Sequence, residues 1–358
     1  MVLGTTELIV DHARPFVEIH FPEADRRAIA WLDTGGGAVI LGAALARDLG
    51  AETTVEEIDG EQHAVVALPE VHIGGVSLDT SQAIAVGTQA DLIVEGFRAE
   101  AFIPARVIAQ HDVVFDYPGG AFSLDQAGEP VGTRVDARSY QRPGTGWPAA
   151  TVNIAGEDVN LLLDTGASCC MLSERLLDRL GAKVVGRAAG AFGLANMTAG
   201  PLDTRVETVR LPDLVWGDAR FPSVIAVSRP EGNFEQMMSS AMPLPVEGAI
   251  AGNVLRHLRI EWRPSEQAVW IDAPTLHTEE LAQVPLVLYA SEGAIRVVGL
   301  GDGADDMGFR VGDGVVSVNG VRVGASFGDT VRMLGGSPGE RRVVEVAREG
   351  NVLGIDDA

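Results

Sequence analysis

Cysteine is scarce in this chain of 358 residues, which contains only Cys169 and Cys170. Adjacent cysteines seldom pair with each other, so the sequence predicts no disulfide framework. Packing is the favoured role for both, and a regulatory thiol is the less favoured one. The seven histidines are scattered without the spacing of metal ligands, so no metal and no cofactor is predicted. No Gly-x-Ser-x-Gly pattern occurs either, so serine-type hydrolysis has no support.

Basic residues are also few, since 27 lysines and arginines stand against 50 acidic residues and give a net charge of −23. This charge argues against a nucleic-acid partner and against binding to anionic membranes, because both need clustered basic side chains. It is compatible with activity at acid pH, where carboxylates are neutralised. Solubility is the simpler explanation and the favoured one.

Long apolar runs are missing as well, and no stretch has the length needed to span a membrane. Residues 1–10 have neither the basic start nor the apolar run of a signal peptide. The sequence as given therefore predicts a soluble chain, cytoplasmic as it stands. An exported protein that had been trimmed would look the same, so the compartment stays open.

The most informative stretch is an apolar strand, residues 161–163, that runs into Asp164, Thr165 and Gly166. A carboxylate among apolar residues normally has a partner or a task, because burying a lone charge is costly. The same arrangement occurs 131 residues upstream, and the following residues also match at that offset: Asp33, Thr34, Gly35, Leu41, Leu45, Leu49 and Gly50 fall on Asp164, Thr165, Gly166, Leu172, Leu176, Leu180 and Gly181. One unit has been written twice, and each copy contributes one carboxylate.

Two Asp-Thr-Gly units resemble the aspartic peptidases of the retropepsin and pepsin-like superfamily, in which two lobes share one site. The short lobes look more like retroviral-type subunits joined in one chain than like pepsin halves. The resemblance implies a mainly β fold with two pseudo-symmetric barrel lobes. It also implies that Asp33 and Asp164 share one proton and activate a water. Thr34, Gly35, Thr165 and Gly166 would then hold this dyad in place, with no metal or cofactor.

The expected lobes cover residues 1–128 and 149–276, joined by a strap over residues 129–148. A hairpin within residues 55–68, turning at Asp59-Gly60, is the candidate first flap, and residues 186–200 are the candidate second flap. Residues 250–252 (Ile-Ala-Gly) match the hydrophobic-hydrophobic-Gly element that each peptidase lobe carries. Residues 102–104 (Phe-Ile-Pro) are the first-lobe equivalent, with proline in place of glycine. The first lobe is therefore the less regular copy.

Residues 280–355 are expected to form a third, α+β unit. Residues 308–320 (Gly-Phe-Arg-Val-Gly-Asp through Asn-Gly) resemble the signature of bacterial PDZ domains, with a type I′ turn at Asn319-Gly320. The resemblance implies that this domain binds an extended chain end as an added strand. Protein or peptide substrates, and a C-terminal peptide at the PDZ domain, are the expected partners.

Three interpretations stay open. In the first, the chain is an aspartic endopeptidase whose PDZ domain recruits or orients substrates. In the second, it is a catalytically inactive protein that binds peptides in the same cleft, which the irregular first lobe favours. In the third, sites form between two chains, although a monomer is expected. A single Asp-Thr-Gly is more often an ordinary turn, but two matched copies favour the enzyme.

Overall fold

The structure is a computed structural model, and it describes most of the chain. The described residues are 3–11, 13–51, 53–58, 61–80, 85–88, 92–94, 97–126, 128–139, 145–188, 206–273, 286–291, 294–300, 303–324, 327–334 and 341–356. The fold is mainly β, as the sequence predicts, with barrel-like sheets and a smaller C-terminal domain. Among the described helices, none has the length and apolar character needed to cross a membrane.

Within the described residues, the first lobe is built from fifteen strands, two short α-helices and one 3-10 helix, Pro22–Ala24. Its strands are β1 (Thr5–Glu7), β2 (Ile9–Asp11), β3 (Arg14–Phe21), β4 (Arg26–Asp33), β5 (Val39–Gly42), β6 (Thr53–Ile58), β7 (Glu61–Val66), β8 (Val71–Ile73), β9 (Val76–Leu78), β10 (Ala85–Thr88), β11 (Leu92–Val94), β12 (Phe97–Ala99), β13 (Ala101–Pro104), β14 (Val113–Asp116) and β15 (Ala121–Leu124). The α-helices are α1 (Ala43–Asp48) and α2 (Ala105–Ile108).

The strap contributes β16 (Thr133–Arg138), and the second lobe repeats the plan of the first. Its strands are β17 (Ala149–Ile154), β18 (Glu157–Asp164), β19 (Cys170–Ser173), β20 (Lys183–Ala188), β21 (Val206–Trp216), β22 (Ala219–Arg229), β23 (Gly248–Ala251), β24 (Arg259–Arg263) and β25 (Ala268–Asp272). Its helices are α3 (Glu174–Leu180), α4 (Gly252–Leu255) and a π-helical segment, Asn233–Met238. The matched helix starts as expected, because the Ser173 hydroxyl accepts a hydrogen bond from the Leu176 N–H at 3.1 Å.

The register of the central strands repeats between the lobes and corrects one prediction. β13 runs parallel to β4 with Pro104 opposite Asp33, and β23 runs parallel to β18 with Ala251 opposite Asp164. Pro104 is therefore the equivalent of Ala251. The expected match of Pro104 with the glycine at 252 was wrong by one residue. The strands that end in Asp33 and Asp164 therefore each have a parallel neighbouring strand.

The two lobes are joined at their base by one continuous sheet in the order β1-β15-β14-β24-β25-β16. β14 of the first lobe pairs antiparallel with β24 of the second, which places Phe115 opposite Ile260. Buried apolar residues from Leu8 to Ile271 form one core that runs through both lobes. This shared core and sheet fix the separation of the two lobes, and hence of the two strands that end in aspartate.

Of the two predicted flaps, the first is a hairpin and the second falls mostly outside the described residues. β6 and β7 pair antiparallel up to Ile58 and Glu61, while the predicted turn at residues 59–60 is not among the described residues. β20 and β21 pair as the base of a second hairpin, but residues 189–205 lie outside the description. The role of both hairpins as flaps stays a prediction.

The C-terminal domain has a separate core that links Leu288 to Ile355. Its elements are β26 (Leu286–Ser291), β27 (Ala294–Leu300), β28 (Gly314–Val318), β29 (Val321–Arg322), α5 (Phe327–Leu334), β30 (Val343–Arg348) and β31 (Asn351–Asp356). The predicted turn between β28 and β29 is confirmed, since Asn319 and Gly320 have φ of 51° and 75°. Positive φ at both positions is what a type I′ turn requires.

Candidate active site

The two Asp-Thr-Gly turns meet at the centre of the molecule and are locked together by their threonines. The Thr34 hydroxyl donates to the Leu163 carbonyl at 2.5 Å, and the Thr165 hydroxyl donates to the Leu32 carbonyl at 2.9 Å. In return, the backbone N–H of each threonine donates to the hydroxyl of the other, at 2.9 and 3.1 Å. Both threonines are fully buried. Each turn therefore satisfies polar groups that the other lobe would leave unpaired.

The glycines let each turn approach the carboxyl group of the opposite lobe. A Cβ added at Gly35 would lie 2.8 Å from Cγ of Asp164, and one added at Gly166 would lie 2.0 Å from Cγ of Asp33. A side chain at either position would overlap a carboxyl group. The structure thus brings together all six residues that the sequence singles out, with the two carboxyl groups hydrogen-bonded to each other.

Burial and mutual proximity change the acidity of both carboxyl groups. Burial, followed by the charge of Asp164, holds the pKa of Asp33 well above its ordinary range. Burial also raises the pKa of Asp164, but the N–H groups of Ala167 and Gly166 oppose the rise. These donors lie 3.1 and 2.9 Å from Oδ1 of Asp164, whereas Oδ1 of Asp33 accepts one backbone bond, from Gly35 at 2.7 Å. The ionised form is therefore better stabilised at Asp164 than at Asp33.

Removing the Thr165 hydroxyl should weaken the junction between the lobes. In Thr165→Val the buried Leu32 carbonyl loses its donor and the buried Thr34 N–H loses its acceptor. Two unsatisfied groups should lower the free energy of unfolding by about 2–4 kcal/mol, measured by urea denaturation. The matched control is Thr151→Val in β17, where the hydroxyl is exposed and pairs with Asn160. The control should change the unfolding free energy by less than about 0.5 kcal/mol, and equal losses in both would contradict this account.

Two further residues at this site were missed by sequence reasoning, and both reach across from the opposite lobe. Nε of Arg14 donates to the Gly166 carbonyl at 2.6 Å, and Nε1 of Trp147 donates to the Gly36 carbonyl at 2.8 Å. Each residue stands directly before a proline at the start of its lobe, which is the one signal that could have identified the pair. Each therefore holds the Asp-Thr-Gly turn of the other lobe.

The backbone just before Arg14 and Trp147 crosses a short helix of the opposite lobe at very close range. A Cβ added at Gly252 of α4 would lie 2.3 Å from the Ala13 carbonyl oxygen. At the equivalent crossing, a Cβ added at Gly146 would lie 2.8 Å from Cα of Arg106 in α2. We call the segments that end in Arg14 and Trp147 the two arms. At one crossing the glycine belongs to the helix, and at the other it belongs to the arm. The missing glycine of the first-lobe helix is compensated at Gly146.

Gly36, which stands where the second lobe has Ala167, has a packing reason as well. A Cβ added at Gly36 would lie 2.3 Å from Cζ of Phe102. The Phe102 ring packs edge-on against Trp31, with ring centroids 5.0 Å apart. Ala167 occupies the position of Gly36 in the second lobe. The glycine therefore makes room for an aromatic pair that lies beside the strand ending in Asp33.

The two cysteines lie behind the second turn and are buried and free of disulfides. The Ala251 N–H donates to Sγ of Cys170 at 3.4 Å, and burial raises the pKa of this thiol to about 12. A thiol of this acidity is a packing group at neutral pH. Within the described residues, no three His, Cys, Asp or Glu side chains are grouped so that they could hold a metal ion.

Comparison with protein families agrees with this geometry. Residues 150–238, which include Asp164, match a family model described as aspartyl protease, and residues 295–348 match a model described as PDZ domain. A search of curated proteins found no match to the chain. Part of the second lobe is therefore similar to aspartyl protease domains, and the C-terminal domain is similar to PDZ domains.

Proposed function

We propose that this protein is an aspartic endopeptidase that hydrolyses peptide bonds with a water activated by Asp33 and Asp164. The observation that carries the proposal is the hydrogen-bonded pair of carboxyl groups, one from each lobe, at the centre of the molecule. Two carboxyl groups in contact resist full ionisation, so the pair holds one proton over a broad pH range. A pair in this state contains both a general acid and a general base.

In the proposed mechanism Asp33 carries the shared proton and Asp164 is ionised. Asp164 accepts two backbone N–H bonds, which favour its charged form, whereas Asp33 accepts one. Asp164 takes a proton from the attacking water, and the water oxygen forms the new bond to the carbonyl carbon. Asp33 gives its proton to the carbonyl oxygen. When the C–N bond breaks, the proton held by Asp164 passes to the leaving amine, and one gem-diol hydroxyl proton returns to Asp33.

The PDZ domain is proposed to recruit or orient protein substrates for the peptidase lobes. Strand β26 lies at the edge of the domain sheet and pairs, within the described strands, with β27 alone. An extended peptide can add to such an edge through backbone hydrogen bonds. A protein substrate with a suitable chain end would then be held close to the cleft, which raises its effective concentration.

The decisive experiment is cleavage profiling of a mixed peptide library by mass spectrometry, from about pH 3 to pH 8. Wild type should produce new peptide ends, and Asp164→Asn should lose them by about 10²–10⁴-fold or more, because one of the two proton-transfer groups is gone. Asn fills the same volume, so circular dichroism should show both proteins folded.

A folded wild type without new peptide ends at any pH would contradict the peptidase proposal. Peptide binding that persists in such a protein, and equally in Asp164→Asn, would identify a peptide-binding protein that uses the same cleft. Cleavage that is identical in wild type and Asp164→Asn would instead assign the reaction to other residues.

A further inference from the structure

Arg14 is a buried charged residue that has no role in the proposed mechanism. Its side chain is 1% exposed and lies against the Asp-Thr-Gly turn of the second lobe. The guanidinium carbon is 5.6 Å from the centroid of the Trp31 ring, in the strand that ends in Asp33. Arg14 therefore bridges the strand of one catalytic aspartate and the turn of the other. A buried cation in such a place is costly unless it faces negative charge.

Trp147 shows that the position itself does not need a cation. It reaches the Gly36 carbonyl with one neutral N–H, at 2.8 Å, close to the 2.6 Å of the Arg14 bond. The two arms are pseudo-symmetric, since each precedes a proline and each crosses a helix of the other lobe. A neutral donor is sufficient to hold a turn. The charge of Arg14 is therefore not needed for the hydrogen bond itself.

The groups that surround Arg14 identify what its charge acts on. Asp11 is opposite Arg14 in the β2–β3 pair, so both side chains lie on one face of that ribbon. Burial has the largest effect on the pKa of Asp33 and of Asp164 and raises both, whereas the charge of Arg14 lowers both and is the weakest of the effects acting on each.

The other titratable groups around the dyad are neutral at ordinary pH. Burial, with the charge of Asp164, raises the pKa of Tyr117, and burial raises that of Cys170 to about 12. Among the residues that the structure describes, Asp11 and Arg14 are the charged groups identified beside the dyad. A dyad with one proton carries one negative charge, and Arg14 supplies a positive charge to the dyad as well as to its neighbour Asp11.

We propose that Arg14 is a positioning residue that stabilises the singly ionised dyad and thereby sets the pH range of peptide cleavage. The proposal rests on the proposed peptidase function and deepens it. The two arms then have different tasks: Trp147 holds its turn through a hydrogen bond alone, while Arg14 holds its turn and also balances charge. The duplicated lobes thus produce an electrostatically asymmetric site.

The test is the pH profile of kcat/KM for a peptide substrate in wild type and three variants of the full chain. Arg14→Gln keeps a donor for the Gly166 carbonyl and removes the charge, so both limbs of the profile should move to higher pH by about half a unit or more. Arg14→Lys keeps the charge, so its profile should stay within a few tenths of a unit of wild type. Trp147→Phe removes the hydrogen bond from an uncharged donor at the equivalent position, so kcat/KM should fall while both limbs of the pH profile stay in place.

Unchanged limbs in a folded, active Arg14→Gln would overturn the proposal, as would an equal shift in Trp147→Phe. If Arg14→Gln fails to fold, Trp147→Arg replaces it. A second guanidinium at the equivalent position should move both limbs of the pH profile to lower pH. Limbs that do not move in Trp147→Arg would also overturn the proposal. Failure of the peptidase function is a separate outcome, visible as a silent wild type. In that case the pH dependence of the unfolding free energy in the same variants reports the dyad without substrate.

Discussion

Gly166→Ala is expected to reduce kcat/KM by about a hundredfold or more. The added Cβ would lie 2.0 Å from Cγ of Asp33 and 2.2 and 2.3 Å from its two carboxylate oxygens. No rotation of the carboxyl group relieves three such overlaps, so the turn or Asp33 must shift. A displacement of about 1 Å at reacting groups costs on the order of 10²-fold in rate.

The glycines of the first turn provide matched controls. At Gly35 the added Cβ would lie 2.8 Å from Cγ of Asp164, and at Gly37 it would meet nothing within 4 Å. Gly37 is also exposed, and its backbone lies outside the positive-φ region. Activity should therefore fall steeply in Gly166→Ala, clearly in Gly35→Ala and little in Gly37→Ala. Near wild-type activity in a folded Gly166→Ala would contradict the close approach of the two turns.

The same ordering should hold for stability, because the overlap exists in the folded state alone. Overpacking in a close-packed region costs about 1–3 kcal/mol, so urea denaturation should place Gly166→Ala below Gly37→Ala by at least about 1 kcal/mol. Activity loss in Gly166→Ala without any stability loss would mean that the turn yields without strain.

Local and repeated features of this fold could be read directly from the sequence. The strand, the turn and the helix that follow each aspartate depend on neighbouring residues: an apolar run, a glycine, a Ser173 cap and the left-handed Gly181 at φ 59°. The duplication at a fixed offset predicted the two-lobed site, because a repeated unit that carries half a site implies a complete site between the two copies. The Asn319-Gly320 turn was equally predictable, since few residues other than Asn and Gly adopt positive φ readily.

The cross-lobe contacts could not be read in the same way. The Arg14 bond joins residues 152 positions apart, and the Trp147 bond joins residues 111 positions apart. Arginine and tryptophan share no chemistry that a pattern would match, although each stands before a proline. The error at Pro104 has a related cause. Where two segments cross closely, either segment can supply the glycine. Here Gly146 supplies it, and the helix has Ala105 instead.

Asp33→Asn is expected to stabilise the folded chain at neutral pH while it removes the activity. The asparagine side chain can keep both hydrogen bonds of the wild type, because its carbonyl oxygen accepts from the Gly35 N–H and its amide donates to Asp164. What the substitution removes is the cost of folding a carboxyl group whose pKa is raised, because the unfolded chain releases its proton at a lower pH than the folded chain does. Catalytic arrangements of this kind are commonly retained at the expense of stability.

The gain should depend on pH with a definite sign. Because the pKa of Asp33 is raised in the folded state, the folded wild type binds more protons than the unfolded chain above the unfolded value of 3.8. Its unfolding free energy therefore falls as the pH rises from that value up to the folded pKa, by about 1.4 kcal/mol per unit. The variant lacks this loss. Its advantage should be near zero below about pH 3.8 and largest above the folded pKa.

Urea denaturation at intervals between about pH 4 and pH 8 measures this difference, with at least about 1 kcal/mol expected in favour of Asp33→Asn at the upper end. The control is Asp178→Asn in α3, where the carboxylate is exposed; its unfolding free energy should stay within about 0.5 kcal/mol of wild type throughout. A variant less stable than wild type at pH 7 would mean that the dyad strengthens the fold. The inference that the pKa of Asp33 is raised would then be wrong, and so would the assignment of the shared proton to Asp33.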